Sequence, residues 1–156
     1  MVKQVYVFRA KLKGWHGVRR TIAIRCEETL VDLHDALQVA FAWDDRHPFA
    51  FWLSGKFWAR DGVEYVHPVA LTGKPFSGAY RAMPGPRRKN AGRPLERLGL
   101  AEGQRIAYVF DFQREWRVRL TLREIAADDG GHYPRVLEAI GEAPPQYLDY
   151  GEQHAA

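Results

Sequence analysis

The residues of this chain whose types could perform chemistry are two histidines and a small set of aspartates. His34 and His47 are candidates for a general base or a metal ligand, and Asp44, Asp45 and Asp111 are candidate carboxylate partners. An imidazole beside a carboxylate can accept a proton or bind a metal ion. The set His34, His47, Asp44 and Asp111 would therefore suit a metal-dependent hydrolase or nuclease.

The same residues also have structural interpretations. His34 falls on the apolar stripe of a predicted helix, where a buried histidine is commonly hydrogen-bonded within the core. His47 precedes Pro48 and could fix the loop that leads into the next strand. Asp44 and Asp45 could end the helix, because the macrodipole disfavours negative charge at a helix C-terminus.

Asp111 is predicted to lie mid-strand among aromatic residues. Burial of a carboxylate there is costly unless a partner is present. Arg19, Arg20 or Arg117 could supply that partner, which would make the pair a structural salt bridge.

The chain shows no nucleophile or cofactor-binding motif. Neither Ser54 nor Ser77 lies in a nucleophile elbow, and no serine precedes Ser54, whereas a serine resolvase needs an activated serine near its N-terminus. Cys26 is the single cysteine, which excludes an internal disulfide and a multi-cysteine zinc site. We therefore predict no cofactor and no metal. These residues do not decide whether the protein is an enzyme, and they favour a protein that is not one.

Positive charge is concentrated in two places in a chain whose net charge is +4. The segment RAMPGPRRKNAGR, residues 81–93, contains no acidic residue, and its prolines and glycines predict a loop. This is either a solvated surface loop or a flexible arm that touches phosphates. Its cations are Arg81, Arg87, Arg88, Lys89 and Arg93.

The second concentration is one face of the last predicted long strand. Arg117, Arg119 and Arg123 alternate with apolar residues there, so this face is either solvated or bound to something acidic. Nucleic acid or an acidic protein would be the partner.

Basic and aromatic residues also interleave elsewhere, as in proteins that bind single-stranded nucleic acid, although rings turned inward and charges turned outward explain the pattern equally well. These residues are Trp15, Arg19, Arg20, Trp52, Lys56, Phe57, Trp58 and Arg60.

These candidates are positioned by a predicted single two-layer α+β domain over residues 1–156. Period-two alternation predicts strands at 4–12, 18–25, 49–53, 63–66, 106–112 and 116–123. Thr29 is a predicted N-cap of the main helix, with Asp32 completing a capping box, and the helix should end near Trp43. A helical turn is predicted at 94–98 and a short helix at 133–140, with a basic loop at about 67–93 and an extended tail from about 141. The predicted sheet is mostly antiparallel or mixed, in a β-grasp-like arrangement.

The N-terminus alternates basic and apolar residues, and no run of about 18 apolar residues occurs. We therefore expect a cytoplasmic protein with no membrane partner.

Three long segments carry a resemblance to a known family. They read VRRTIAIRCEETLVDLHDALQVAFAWDDRHPFAF, LERLGLAEGQRIAYVFDFQREW and YPRVLEAIGEAPPQ. In this order and spacing they resemble the plasmid pRiA ORF-three-like family, some of whose members are labelled TnpR resolvases or insertion-element passengers. The resemblance implies an α+β fold, an association with mobile elements and no established activity.

Departures from the family pattern concern its polar residues. Phe49 and Val118 stand where histidines are usual, and family cysteines are replaced by Val136, Ala143 and Leu148. Any site that typical members build from those side chains is therefore absent from this chain. The residues that match are mostly aromatic or structural, among them Trp43, Tyr108, Phe110, Trp116, Pro144 and Pro145.

Overall fold

The eight strands in the described part of the chain belong to one sheet with the order β5-β4-β3-β6-β7-β1-β2-β8. The computed structural model describes residues 3–60, 62–71 and 87–147. The elements are β1 (Gln4–Leu12), β2 (Arg19–Arg25), α1 (Leu30–Ala40), β3 (Phe49–Trp52), β4 (Val63–Val66), β5 (Arg87–Asn90), β6 (Arg105–Phe110), β7 (Trp116–Ala127) and β8 (Arg135–Ile140), with single 3-10 turns at Pro68–Leu71 and Leu95–Arg97. One main helix and a large mixed sheet confirm the α+β class, whereas the β-grasp likeness stays a prediction.

Strand β1 lies inside the sheet, where it pairs antiparallel with both β2 and β7. Its alternation is visible in the burial, since Phe8 and Ala10 have no exposed surface while Lys11 is exposed. The side chains of one sheet face meet α1 in the main core, and we call this the inner face. The opposite side is called the outer face.

The helix begins where the sequence predicts. Thr29 Oγ1 accepts a hydrogen bond from the Asp32 backbone N–H at 3.2 Å, and Asp32 Oδ2 accepts one from the Thr29 N–H at 2.8 Å. The helix ends at Ala40, short of Trp43, and Ala42 has a φ of 58°. Its C-terminus is capped from the sheet, because Arg20 Nε donates to the Ala40 carbonyl at 2.9 Å.

The outer face is partly covered by residues 53–60, which we call the rim segment. Phe57 and Trp58 of this segment pack with Trp52 of β3 and with Ala107 and Val109 of β6 in a second, smaller apolar cluster. The rim segment therefore lies over the β3–β6 part of the sheet.

Two segments differ from the sequence prediction. Residues 135–140 are not helical but form β8, an edge strand paired with β2, because pairing with the free edge of β2 outweighs a weak helical preference. Residues 87–90 are not loop but form β5, which runs parallel to β4 and places Arg88 opposite Glu64. Their ion pair, 3.6 Å between Arg88 Nε and Glu64 Oε2, gives the basic segment a partner within the sheet.

Within the described residues, no helix has the length and apolar character needed to cross a membrane.

Candidate functional site

His34 lies in a chain of side-chain hydrogen bonds between α1 and β6. Gln38 Nε2 donates to the Tyr108 hydroxyl at 2.9 Å, and that hydroxyl lies 2.7 Å from His34 Nδ1. Since the hydroxyl accepts from Gln38, its own proton is directed at Nδ1, and the imidazole carries its proton on Nε2. Burial raises the pKa of Tyr108 well above its ordinary value, so this hydroxyl stays protonated.

The His34 ring is held as a neutral group. It stacks on Phe49 with ring centroids 3.8 Å apart, and burial, with a smaller contribution from His67, lowers its pKa to about 3. A histidine that is uncharged and already bonded through Nδ1 has the geometry of a core residue.

His47 and Asp111 are brought together at one end of the sheet. His47 Nε2 lies 2.6 Å from the Tyr147 hydroxyl and 3.7 Å from Asp111 Oδ2. Arg114 also approaches Asp111, with its Nε 3.9 Å from Oδ2, and its guanidinium lies 4.5 Å from the centroid of the Tyr147 ring.

The partners of Asp111 are therefore His47 and Arg114, and the prediction of Arg19, Arg20 or Arg117 is wrong. Arg19 pairs with Glu138, and Arg117 pairs with Glu115. Arg20 binds backbone carbonyls, as described for the helix cap. The sequence prediction fails because Asp111 is not mid-strand but follows β6 with a φ of 62°. There its Oδ1 accepts bonds from the N–H groups of residues 113 and 114.

Asp44 and Asp45 contact the C-terminal segment through their main chain. The buried Gln146 side chain accepts from both backbone N–H groups, at 2.9 and 3.1 Å, and donates to the Asp45 carbonyl at 3.0 Å. The Gln146 carbonyl in turn accepts from Trp116 Nε1 at 3.2 Å. We call this set of four bonds the Gln146 clasp. It was missed at the sequence level, where the glutamine after Pro144 and Pro145 carries no local signal.

The four candidate catalytic residues do not converge on one point. His34 and His47 both contact the Phe110 ring, at centroid distances of 5.9 and 5.8 Å, but only His47 is paired with Asp111. Among the described residues, no group of three or more histidine, cysteine, aspartate or glutamate side chains could hold a metal ion. Through His47, Asp111 and Tyr147 the arrangement joins a loop, a turn and the C-terminal segment. The described residues do not assemble the site that a metal-dependent hydrolase would need.

A second candidate site is the outer face of β7, β1 and β2. Strand pairing places Lys11 directly between Arg119 and Arg19, so three cations from three neighbouring strands form one row. The row continues through Ala107 to Trp52 on one side and ends at Ile140 on the other. With their neighbours these cations form what we call the basic sheet face: Arg9, Lys11, Lys13, Arg19, Arg117 and Arg119.

Phe57 of the rim segment lies beside this face. Its ring centroid is 5.2 Å from Lys13 Nζ, 5.5 Å from the Arg117 guanidinium carbon and 5.8 Å from that of Arg119. The ring quadrupole attracts the cations and so holds three positive charges close together. Phe57 itself is half-buried.

Carboxylates balance only part of the charge. Arg117 Nη2 lies 2.7 Å from Glu115 Oε2, and Arg19 Nε lies 3.6 Å from Glu138 Oε1. Within the part of the chain that the structure describes, Lys11 and Arg119 have no ion-pair partner, and Arg9 Nε is buried without a hydrogen-bond partner.

The other predicted cations lie elsewhere. Arg123 is exposed in β7, at the β-bulge where Phe8 faces Leu122 and Val7 faces Glu124. Arg87, Arg88 and Lys89 lie on β5, four strand positions from β7, or about 19 Å at the usual strand spacing. Arg93 is exposed in the turn after β5, and Arg81 lies outside the described residues.

Comparisons with known proteins identify a family and a solved structure of similar fold. A family model described as plasmid pRiA4b ORF-3-like protein matches residues 4–153. A crystal structure of a protein of unknown function, MM3350 from Methanosarcina mazei Go1, is similar with a TM-score of 0.68 and 23% identity. The match covers 94% of this chain and 74% of that one. No curated protein matches the chain.

Proposed function

Because the chain belongs to the plasmid pRiA4b ORF-3-like family, for which no function is established, we propose one from the site itself: a non-enzymatic module that binds nucleic acid on its basic sheet face. The observation that supports the proposal is the row Arg119–Lys11–Arg19, three cations directly opposite one another on three adjacent strands.

Such a row is unfavourable for the isolated protein. Side chains directly opposite across antiparallel strands have Cβ atoms about 5 Å apart, and like charges in these positions destabilise the sheet. A bound polyanion removes this cost, since each cation then faces a phosphate, and the release of counterions adds to the affinity. The half-buried Phe57 beside the face adds an aromatic surface of the kind that nucleic-acid-binding proteins use.

The test is fluorescence anisotropy of the purified protein with labelled random DNA and RNA, at about 50 and 200 mM salt. We expect micromolar binding that falls steeply with salt. The variant Lys11→Gln/Arg119→Gln should weaken it and reduce the slope of log affinity against log salt by about 1.5–2.

A matched control is Arg87→Gln/Lys89→Gln, which removes two cations from the edge strand β5 and leaves the basic sheet face intact. We expect near-normal binding from this control. Absence of binding at low salt would overturn the assignment. It would also be overturned if the control lost binding while the Lys11→Gln/Arg119→Gln variant bound normally. Competition by polyglutamate as strong as that by nucleic acid would instead indicate an acidic protein as the partner.

A further inference from the structure

We infer that the nucleic acid held on the basic sheet face is single-stranded. This rests on the proposed function and adds the class of ligand. It follows from the shape of the face, from the spacing of its cations and from the position of Phe57.

The face is bounded on both sides. The rim segment stands over β3 and β6 through Phe57 and Trp58, and the sheet ends at β8 on the other side. At β8 a carboxylate adjoins the face, because Glu138 pairs with Arg19. The basic floor is therefore three strands wide, β7, β1 and β2, or about 14 Å at the usual strand spacing.

The cations of the floor are arranged in two directions. Lys11 lies about 5 Å across the strands from its neighbours Arg119 and Arg19, and about 7 Å along β1 from Arg9, two residues away. These are spacings between strand positions, and they are similar to the separation of successive phosphates along one nucleic-acid strand. A single strand can therefore follow the floor with consecutive phosphates on consecutive cations.

Phe57 supplies an aromatic ring on which an unpaired base can stack. Its half-buried ring lies beside Lys13, Arg117 and Arg119, so a nucleotide whose phosphate contacts these cations has its base within reach of the ring. Unpaired bases stack on aromatic side chains, whereas the bases of a duplex are already stacked inside it.

The experiment compares a single strand of about 16 nucleotides with its own duplex, in anisotropy titrations of the full chain at one salt concentration. We expect the unmodified protein to bind the single strand about tenfold more tightly or better. Phe57→Leu should weaken single-strand binding at least about fivefold and change duplex binding by less than about twofold. Phe57→Trp keeps a ring and should retain the affinity.

The outcomes separate this inference from the proposed function. If the duplex binds as tightly as the single strand or more tightly, the single-strand inference is overturned. The proposed function still stands in that case, provided that Lys11→Gln/Arg119→Gln weakens the binding. No binding of either nucleic acid would overturn both. The strand preference is measured on the unmodified protein, so it decides the inference even if a Phe57 variant does not fold.

Discussion

Protonation of His34 should make the protein lose stability as the pH falls from neutral. The ring is buried against Phe49, its Nδ1 accepts a hydrogen bond from the Tyr108 hydroxyl, and its pKa is about 3, compared with an ordinary value of 6.5. The folded state therefore resists protonation, while the unfolded chain takes up a proton at about pH 6.5. The sign follows directly. The contribution of the neutral His34 to the free energy of unfolding is fully present above about pH 6.5, and it decreases until the pH reaches about 3.

The magnitude follows from the size of the shift. A difference of about 3.5 pKa units at 1.36 kcal/mol each corresponds to about 4–5 kcal/mol, lost at up to about 1.4 kcal/mol per pH unit. That is a large fraction of the 5–15 kcal/mol that typically stabilises a domain. The measurement is the free energy of unfolding by urea at a series of pH values between about 7.5 and 4.

The variant His34→Asn isolates this contribution, because the amide oxygen can accept a hydrogen bond from the Tyr108 hydroxyl and the amide does not titrate. We expect the variant to be less stable at pH 7.5 but to lose much less stability on acidification. His16→Gln, in the exposed turn between β1 and β2, should keep the slope of the unmodified protein. An unchanged slope in His34→Asn, or a flat profile in the unmodified protein, would refute the reasoning.

Two further changes test other parts of the structure. Gln146→Ala removes the three side-chain bonds of the clasp and should lower the free energy of unfolding by about 2 kcal/mol, whereas Gln113→Ala, at an exposed position, should change it little. Urea unfolding measures both, and an equal effect of the two would show that the clasp does not hold the tail. Lys11→Gln should instead raise the free energy of unfolding by about 0.5 kcal/mol at low salt, because it relieves repulsion by Arg119 and Arg19. The gain should shrink at about 1 M salt, and a loss of stability at low salt would contradict the proposed repulsion.

The local pattern was sufficient to predict β1, the capped start of α1 and the hairpin of β6 and β7. The alternation of each strand and the cap of the helix each lie within about a dozen residues, and the structure shows both. The α+β class followed from these elements. The helix expected at 133–140 failed because the partner that makes it a strand, β2, lies more than a hundred residues earlier in the chain.

The candidate sites show the same limit. Alternation in β1 is sufficient to place Arg9 and Lys11 on one face, and alternation in β7 is sufficient for Arg117 and Arg119. Only the strand order puts β1 beside β7, and nothing local indicates that order. The Gln146 clasp is similar, since its three side-chain bonds join residues about a hundred positions apart.

The position of β1 also has a consequence for biosynthesis. β1 ends at Leu12 and its second neighbour β7 begins at Trp116, so more than a hundred residues must be translated before that pairing can form. At 5–20 residues per second the wait is roughly 5–20 s, during which the nascent β1–β2 hairpin exposes two strand edges and the apolar surface of Phe8, Ile22 and Ile24. An unfinished chain that ends before β7 has no strand to complete the sheet. Such a product keeps unpaired strand edges, which are sites of aggregation.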